Sequence, residues 1–293
     1  MEKWCGTLEN LGITPKNLTR VAVFGASSVL ARDFLSCTSF PKSQFVCFAR
    51  NQADLAELDL EINPYEEFKV EDDYSAILNF VGYGSPARAI DQAAGILEVT
   101  RRFDYLALEY LRIHPETAYI FISSGSSKAF SDGWNAPQDL SLVEGRLGPE
   151  DLYPAAKYEA ETRHRSLADL KISDIRVFNY VSTRQSLDDS FFFTDLARAY
   201  LRETEFQTSP IDIVRDFANK DNLTQIIELC LRAPTNAAFD LFTQKSVSKF
   251  ELLEKLNQLL GIKYKVSREL NPLSPTGLKV EYVPTDLDRK SVV

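Results

Sequence analysis

The sequence predicts an α/β fold, a parallel sheet covered by helices on both faces and followed by a smaller α/β lobe. Two observations carry this prediction. From about residue 20 to residue 180, short apolar runs alternate with segments of helical apolar spacing. The runs are continuously apolar rather than alternating, as strands buried on both faces must be.

RVAVFG (20–25) is a β-branched run that ends in glycine, and VLARDFLSC (29–37) has helical spacing. QFVCFAR (44–50) reads as the second strand, EEFKV (66–70) as a weaker third, and SAILNFVG (75–82) as a buried fourth. The segment between the second and fourth is too short for a full crossover helix. Residues 87–112 carry a long amphipathic helix, TAYIFISS (117–124) a strand, 153–170 a helix and ISDIRVFNY (172–180) a strand. Beyond Ser182 the chain is more polar. Helices are expected at 186–201, 219–233 and 246–261, the last with a serine N-cap and a terminating glycine, and a strand at 237–242.

Composition narrows the function. A hydrophobic content of 44% with 26% charged residues suits a globular chain with a real core. No apolar run reaches the roughly 18 residues of a membrane span, and the first twenty residues carry no signal core. The reading is cytoplasmic, with no membrane partner. A net charge of −9 repels a polyanion and argues against nucleic acid. Cys5, Cys37, Cys47 and Cys230 form no C-x-x-C pair, and only His114 and His164 are available beside them. No metal site and four reduced thiols are expected.

Three features carry chemistry. The first is FGASSVLARDF, where a strand turns through glycine into a helix N-terminus. Free backbone N–H groups and the helix dipole make such a turn an anion site, so Gly25, Ser27, Ser28, Val29 and Leu30 are candidate cofactor contacts. In the spacing G-x-x-G-x-x-G the three positions read Gly25, Ser28 and Ala31. Ala31 still permits close helix–strand packing, whereas Ser28 is expected to put a side chain where a pyrophosphate approaches. The second feature is Arg50, at the end of the second strand. No Asp or Glu stands there to accept a ribose 2′-hydroxyl, and an arginine suits a 2′-phosphate, which favours NADP(H) over NAD(H).

The third is Tyr153-Pro154-Ala155-Ala156-Lys157. A tyrosine and a lysine four apart share a helix face, and the ammonium is expected to lower the phenol's pKa from about 10 toward neutral. Such a phenol exchanges a proton with a carbinol or carbonyl oxygen while hydride moves at a nicotinamide. Tyr153 follows Ser124 by 29 residues, and Ser124 closes a predicted strand at the end where parallel sheets bind ligands. Ser123 or Ser124 is expected to hold the reacting oxygen, Ser124 being preferred.

The whole order resembles the extended short-chain dehydrogenase/reductases, the NAD(P)-dependent epimerase/dehydratase family acting on nucleotide sugars. It rests on VAVFGASSVLA, AILNFVG, YIFISSGSS, YPAAK, IRVFNYVS and VRDFANKDNL in the family's order, over roughly residues 20–285. The resemblance implies a Rossmann-type domain at 20–182 behind an appendage at 1–19, and a mainly substrate-binding lobe at 183–293 from which 219–242 returns to the sheet. It implies a catalytic set of Ser124, Tyr153 and Lys157, cofactor contacts from these last two and from Phe80, Val81 and Gly82, and diphosphate contacts from Asn179 and Arg215. A capping role for Asn179, and an ion pair with Asp216 or Asp221 for Arg215, remain the alternatives. A homodimer is likewise implied.

The family's sugar 4,6-dehydratases follow the catalytic Ser/Thr with Asp-Glu, but here Gly125-Ser126 follow, which argues against dehydration. The expected activity is an NADP(H)-dependent reductase of a nucleotide-linked 4-keto-6-deoxy sugar, resembling reductases that make deoxy sugars for surface polysaccharides. The alternatives are an NAD-dependent nucleotide-sugar 4-epimerase and a non-catalytic NADP-binding member.

Overall fold

The computed structural model describes residues 18–50, 59–82, 93–128, 148–267 and 281–282. Most of the appendage and the predicted helix start at 87–92 lie outside the described residues. Seven strands form one wholly parallel sheet: β1 (Val21–Phe24), β2 (Phe45–Phe48), β3 (Ile62–Asn63), β4 (Ala76–Asn79), β5 (Ala118–Ser124), β6 (Ile172–Val177) and β7 (Ala237–Leu241). Their spatial order is β7-β6-β5-β4-β1-β2-β3. The chain winds outward from β1 in one direction, then crosses back to β4 and winds outward in the other. That reversal opens a crevice at the carboxyl ends of β1 and β4. The doubly wound, Rossmann-like α/β class predicted from the alternation is the one observed.

Strand alternation sorts the core into two layers. Val21, Val23, Ile120 and Ile122 face α1 (Val29–Cys37) and α5 (Lys220–Arg232), and bury Phe34, Leu35, Leu223, Ile227 and Leu231. Ala22, Phe24, Tyr119 and Phe121 face α2 (Ala93–Ile113) and α3 (Pro149–Ser166). A third, smaller core in the C-terminal lobe joins Leu196 and Ala199 of α4 (Phe192–Leu201), Leu253 of α6 (Lys249–Leu260), Phe206 and Ile262. As the sequence indicates, Ser248 caps α6, its Oγ accepting from Glu251 N at 3.2 Å, and Gly261 closes the helix at φ +70°. Among the described residues, no helix is long and apolar enough to cross a membrane.

The third strand is a correction. EEFKV is not β3; the pairing strand is Ile62–Asn63, and Tyr65–Glu67 form a 3-10 turn after Pro64. The aromatic residues that suggested a strand are used for packing instead. Tyr65 and Phe68 lie edge-on to Phe24, with centroids 5.8 and 4.9 Å away.

Candidate active site

Gly25 follows β1 with φ +70°, and a Cβ there would stand 2.9 Å from both Phe80 C and Val81 N. Only glycine allows the two strand ends to approach this closely. The Gly25 N–H donates to the Tyr65 hydroxyl at 2.8 Å, and burial pushes that phenol up to about 12. Ser28 departs from the sequence expectation. Its backbone is extended, at φ −68° and ψ 154°, and its Oγ turns back to accept from Ala31 N at 3.2 Å. The serine is the N-cap of α1, so its hydroxyl is turned into the helix rather than across the phosphate approach. Val29 and Leu30 open the helix, where N–H groups have no intrahelical acceptor. A loop of this kind, with its glycine cradle, fits the pyrophosphate of a dinucleotide. Arg50 is exposed beyond β2, and its charge acts on Tyr65 against the larger effect of burial.

The strand end after β4 leads to the Tyr153–Lys157 pair. Gly82 leaves room for Lys157, whose Nζ lies 3.8 Å from where a Cβ of Gly82 would stand. Lys157 is 2% exposed. Its ammonium donates to Ile122 O at 2.8 Å and lies 4.3 Å from the Phe121 ring centroid. Burial lowers its pKa to about 8, against the attraction of Asp104, Glu161 and Asp174. Tyr153 sits one helical turn earlier, with its ring centroid 5.9 Å from that ammonium.

The expected drop in the tyrosine's pKa is not found. Burial raises it, and a hydrogen bond with Ser124 offsets only part of the rise. Desolvation disfavours the charged phenolate, which favours the neutral phenol.

Ser124 and Ser123 part company. Ser124 Oγ lies 2.9 Å from Ser126 Oγ and accepts from Ser126 N at 3.2 Å. Ser123, next along the strand, points to the other face. It is 2% exposed, and its hydroxyl donates to Glu161, which also accepts from Ser127 at 2.7 Å and Arg176 at 2.6 Å. The structure brings Ser124, Tyr153, Lys157, Gly82, Val81, Phe80 and Gly25 together, and leaves Ser123 in a buried ionic cluster. Sequence reasoning missed Ser126 and Phe178. A Cβ on Gly125 would fall 2.5 Å from the Phe178 ring, so position 125 takes no side chain.

Asn179 and Arg215 line one small cavity with Phe192, Ile213, Phe217 and Lys249. Asn179 Nδ2 donates to Asp216 O at 3.1 Å and Arg215 to Val214 O at 2.8 Å. The Asp216 carboxylate holds Thr243, accepting from its N–H at 3.1 Å and from its hydroxyl at 2.5 Å.

A protein-family profile described as the NAD dependent epimerase/dehydratase family matches residues 25–240. The chain belongs to that family. Its members are NAD(P)-dependent enzymes. Among solved structures, this family member is similar to UDP-N-acetylglucosamine 4-epimerase from Methanobrevibacter ruminantium M1, with a TM-score of 0.73 and 16% identity over 95% of this chain and 93% of that one. It is also similar to RMD from Pseudomonas aeruginosa complexed with NADPH, with a TM-score of 0.66 and 16% identity over 93% and 91% of the two chains. A third is UDP-glucose 4-epimerase from Thermotoga maritima, with a TM-score of 0.66 and 16% identity over 90% and 89%. No curated protein matches this family member by sequence.

Proposed function

We propose that this protein is an NADP(H)-dependent reductase of a nucleotide-linked keto sugar of the 4-keto-6-deoxy type, with Tyr153 as proton donor. The observation that carries the reading is the placement of Tyr153 beside Ser124 and Lys157 at the strand ends, with burial raising the phenol above its ordinary value. A reductase begins its cycle with a proton to give, whereas an enzyme that first oxidises an alcohol begins with a phenolate. Gly25, Ser27, Ser28, Val29 and Leu30 would hold the cofactor's pyrophosphate, and Arg50 its 2′-phosphate. Phe80, Val81 and Gly82 would line the cofactor's path to Lys157. The nicotinamide, when bound, supplies the hydride.

The remaining steps belong to this chain's own side chains. Ser124 Oγ, hydrogen-bonded to the phenol and 2.9 Å from Ser126 Oγ, would turn its proton to the substrate's carbonyl oxygen and hold that oxygen beside the phenol. Tyr153 then gives its proton to that oxygen, and the Lys157 ammonium stabilises the phenolate left behind. Arg215 and Asn179 would receive the substrate's diphosphate, and α2 and α3 would form the contact of a homodimer.

Dehydration is disfavoured because the Phe178 ring fills the place of a carboxylate at position 125. The 4-epimerases among the similar folds keep epimerisation as a second reading. It needs the same three residues and a tightly held NAD.

Tyr153→Phe is expected to lower turnover of a nucleotide-linked 4-keto sugar by about 10²- to 10⁴-fold while leaving the NADPH Kd unchanged. Wild-type turnover in that variant would sink the mechanism. In a titration with both cofactors, Arg50→Ala is expected to weaken NADPH by about tenfold and NADH hardly at all. Equal losses would remove Arg50 from the 2′-phosphate. NAD released on denaturing the purified protein would favour the epimerase.

A further inference from the structure

Beneath the Tyr153–Lys157 pair lies a cluster of buried charges that the mechanism above does not use. His164, two turns beyond Lys157 on α3, is 0% exposed. Its Nε2 lies 2.7 Å from Asp104 Oδ1 of α2 and its Nδ1 lies 2.6 Å from Asp174 Oδ1 of β6. Arg163 donates to the other oxygen of Asp104 at 2.6 Å, and Arg165 to the other oxygen of Asp174 at 2.8 Å. A carboxylate against each ring nitrogen is satisfied only by imidazolium, which donates twice. Burial opposes that charge, but the two aspartates prevail and hold His164 up to about 9.

A buried ionic cluster of this kind is a poor source of stability compared with apolar packing. Its value lies in direction. Asp104 only accepts, so the Tyr119 hydroxyl must donate to it, at 3.0 Å. Tyr119 then accepts from Asn79 Nδ2 at 2.9 Å, which leaves Asn79 Oδ1 to accept from the Val81 N–H at 3.0 Å. Each link has one possible sense. The chain ends in the turn that meets Gly25 on one side and Lys157 on the other. A second arm runs through Phe121, whose ring has His164 edge-on at 5.3 Å and the Lys157 ammonium at 4.3 Å.

We propose that Asp104, His164 and Asp174 are positioning residues for the cofactor site, fixing the Phe80–Gly82 turn through Tyr119 and Asn79. The proposal rests on the reading of that turn as a cofactor contact, and the two are tested apart. The groups facing His164 are Asp104 from α2, Asp174 from β6, Tyr119 and Phe121 from β5, and, on its own helix, Arg163 and Arg165 paired with the two carboxylates. Lys157 and Glu161 lie toward the site on that helix.

The test follows the Val81 amide in the ¹⁵N spectrum of the full chain between pH 6 and 10, together with NADPH binding by calorimetry. In the wild type the Val81 resonance is expected to carry a His164 component near about 9, beside the component of Lys157 near about 8. Tyr119→Phe cuts the chain at its middle and spares every ion pair, so the variant is expected to stay folded, which its circular dichroism checks. That variant is expected to lose the His164 component of the Val81 titration while keeping the Lys157 component, exchange this amide faster, and bind NADPH about tenfold more weakly. Asp104→Asn is expected to act in the same direction. A Tyr119→Phe protein with wild-type Val81 titration, or with wild-type NADPH affinity when the wild type does bind, overturns the proposal. If the wild type binds neither NADPH nor NADH, and Val81 still carries the His164 component and loses it in Tyr119→Phe, the cofactor reading falls and the positioning of the turn stands.

Discussion

The two faces of the central sheet are built from different materials. Against α1 and α5 the sheet buries aliphatic and phenylalanine side chains, with Val21, Val23, Phe34, Ile120, Ile122, Leu223 and Leu231 at its centre. The two carboxylates on that side are held by neutral donors as well as by arginines. Glu228 accepts from Ser39 N at 2.6 Å and from Thr38 Oγ1 at 3.0 Å, and Asp33 accepts from Tyr180 at 2.8 Å. Against α2 and α3 the core instead contains tyrosines with satisfied hydroxyls and, deeper, Asp104, His164 and Asp174, each 0% exposed. The first face gains stability from apolar area. The second accepts desolvated charge and gains orientation, on the side from which Tyr153 and Lys157 reach the strand ends.

The contrast predicts unequal responses to change. The largest effect is expected from Phe34→Ala, which opens a cavity on the apolar face and should cost about 3–5 kcal/mol in urea unfolding. A loss below about 1 kcal/mol would mean that this face is not the main source of stability. The next effect is a pH dependence confined to the polar face. His164 is raised from 6.5 to about 9, so its contribution to stability is full below 6.5 and is lost as pH rises through about 9. From 6.5 to about 8, where Lys157 begins to offset the loss, wild-type stability should fall by up to about 1.4 kcal/mol per pH unit, and His164→Gln should flatten this component of the profile. An unchanged slope in the variant would show that His164 is not the group responsible. The smallest effect is expected where the faces meet, at the end of β5. Gly125→Ala places a methyl group 2.5 Å from the Phe178 ring and should cost about 1–3 kcal/mol by thermal unfolding. A neutral substitution would show that the ring yields freely, and would reopen position 125 to a side chain.

The alternation of apolar runs was legible because strands buried on both faces are predominantly apolar, and six of the seven sheet strands stand where that pattern places them. The third strand was not legible. Ile62–Asn63 is a two-residue edge strand, while its aromatic neighbours Tyr65 and Phe68 look more strand-like and serve the core instead. Pro64 was the available signal, since it ends pairing. The Tyr153–Lys157 spacing was readable because α-helical periodicity is local. The phenol's protonation was not, because desolvation depends on what surrounds the ring in space. Ser28 needed its own backbone angles to be recognised as a cap.

By itself the sequence determined the layered α/β class, the glycine turn, the shared helix face of Tyr153 and Lys157, and the family's order of motifs. All of these follow from periodicities and spacings of a few residues. The tertiary structure alone set Ser124 beside Tyr153 and Ser123 on Glu161, placed Phe178 against Gly125, and gathered Asp104, His164 and Asp174 from two helices and a strand. These depend on contacts between residues far apart in the chain, and desolvation in a shared core sets their chemistry.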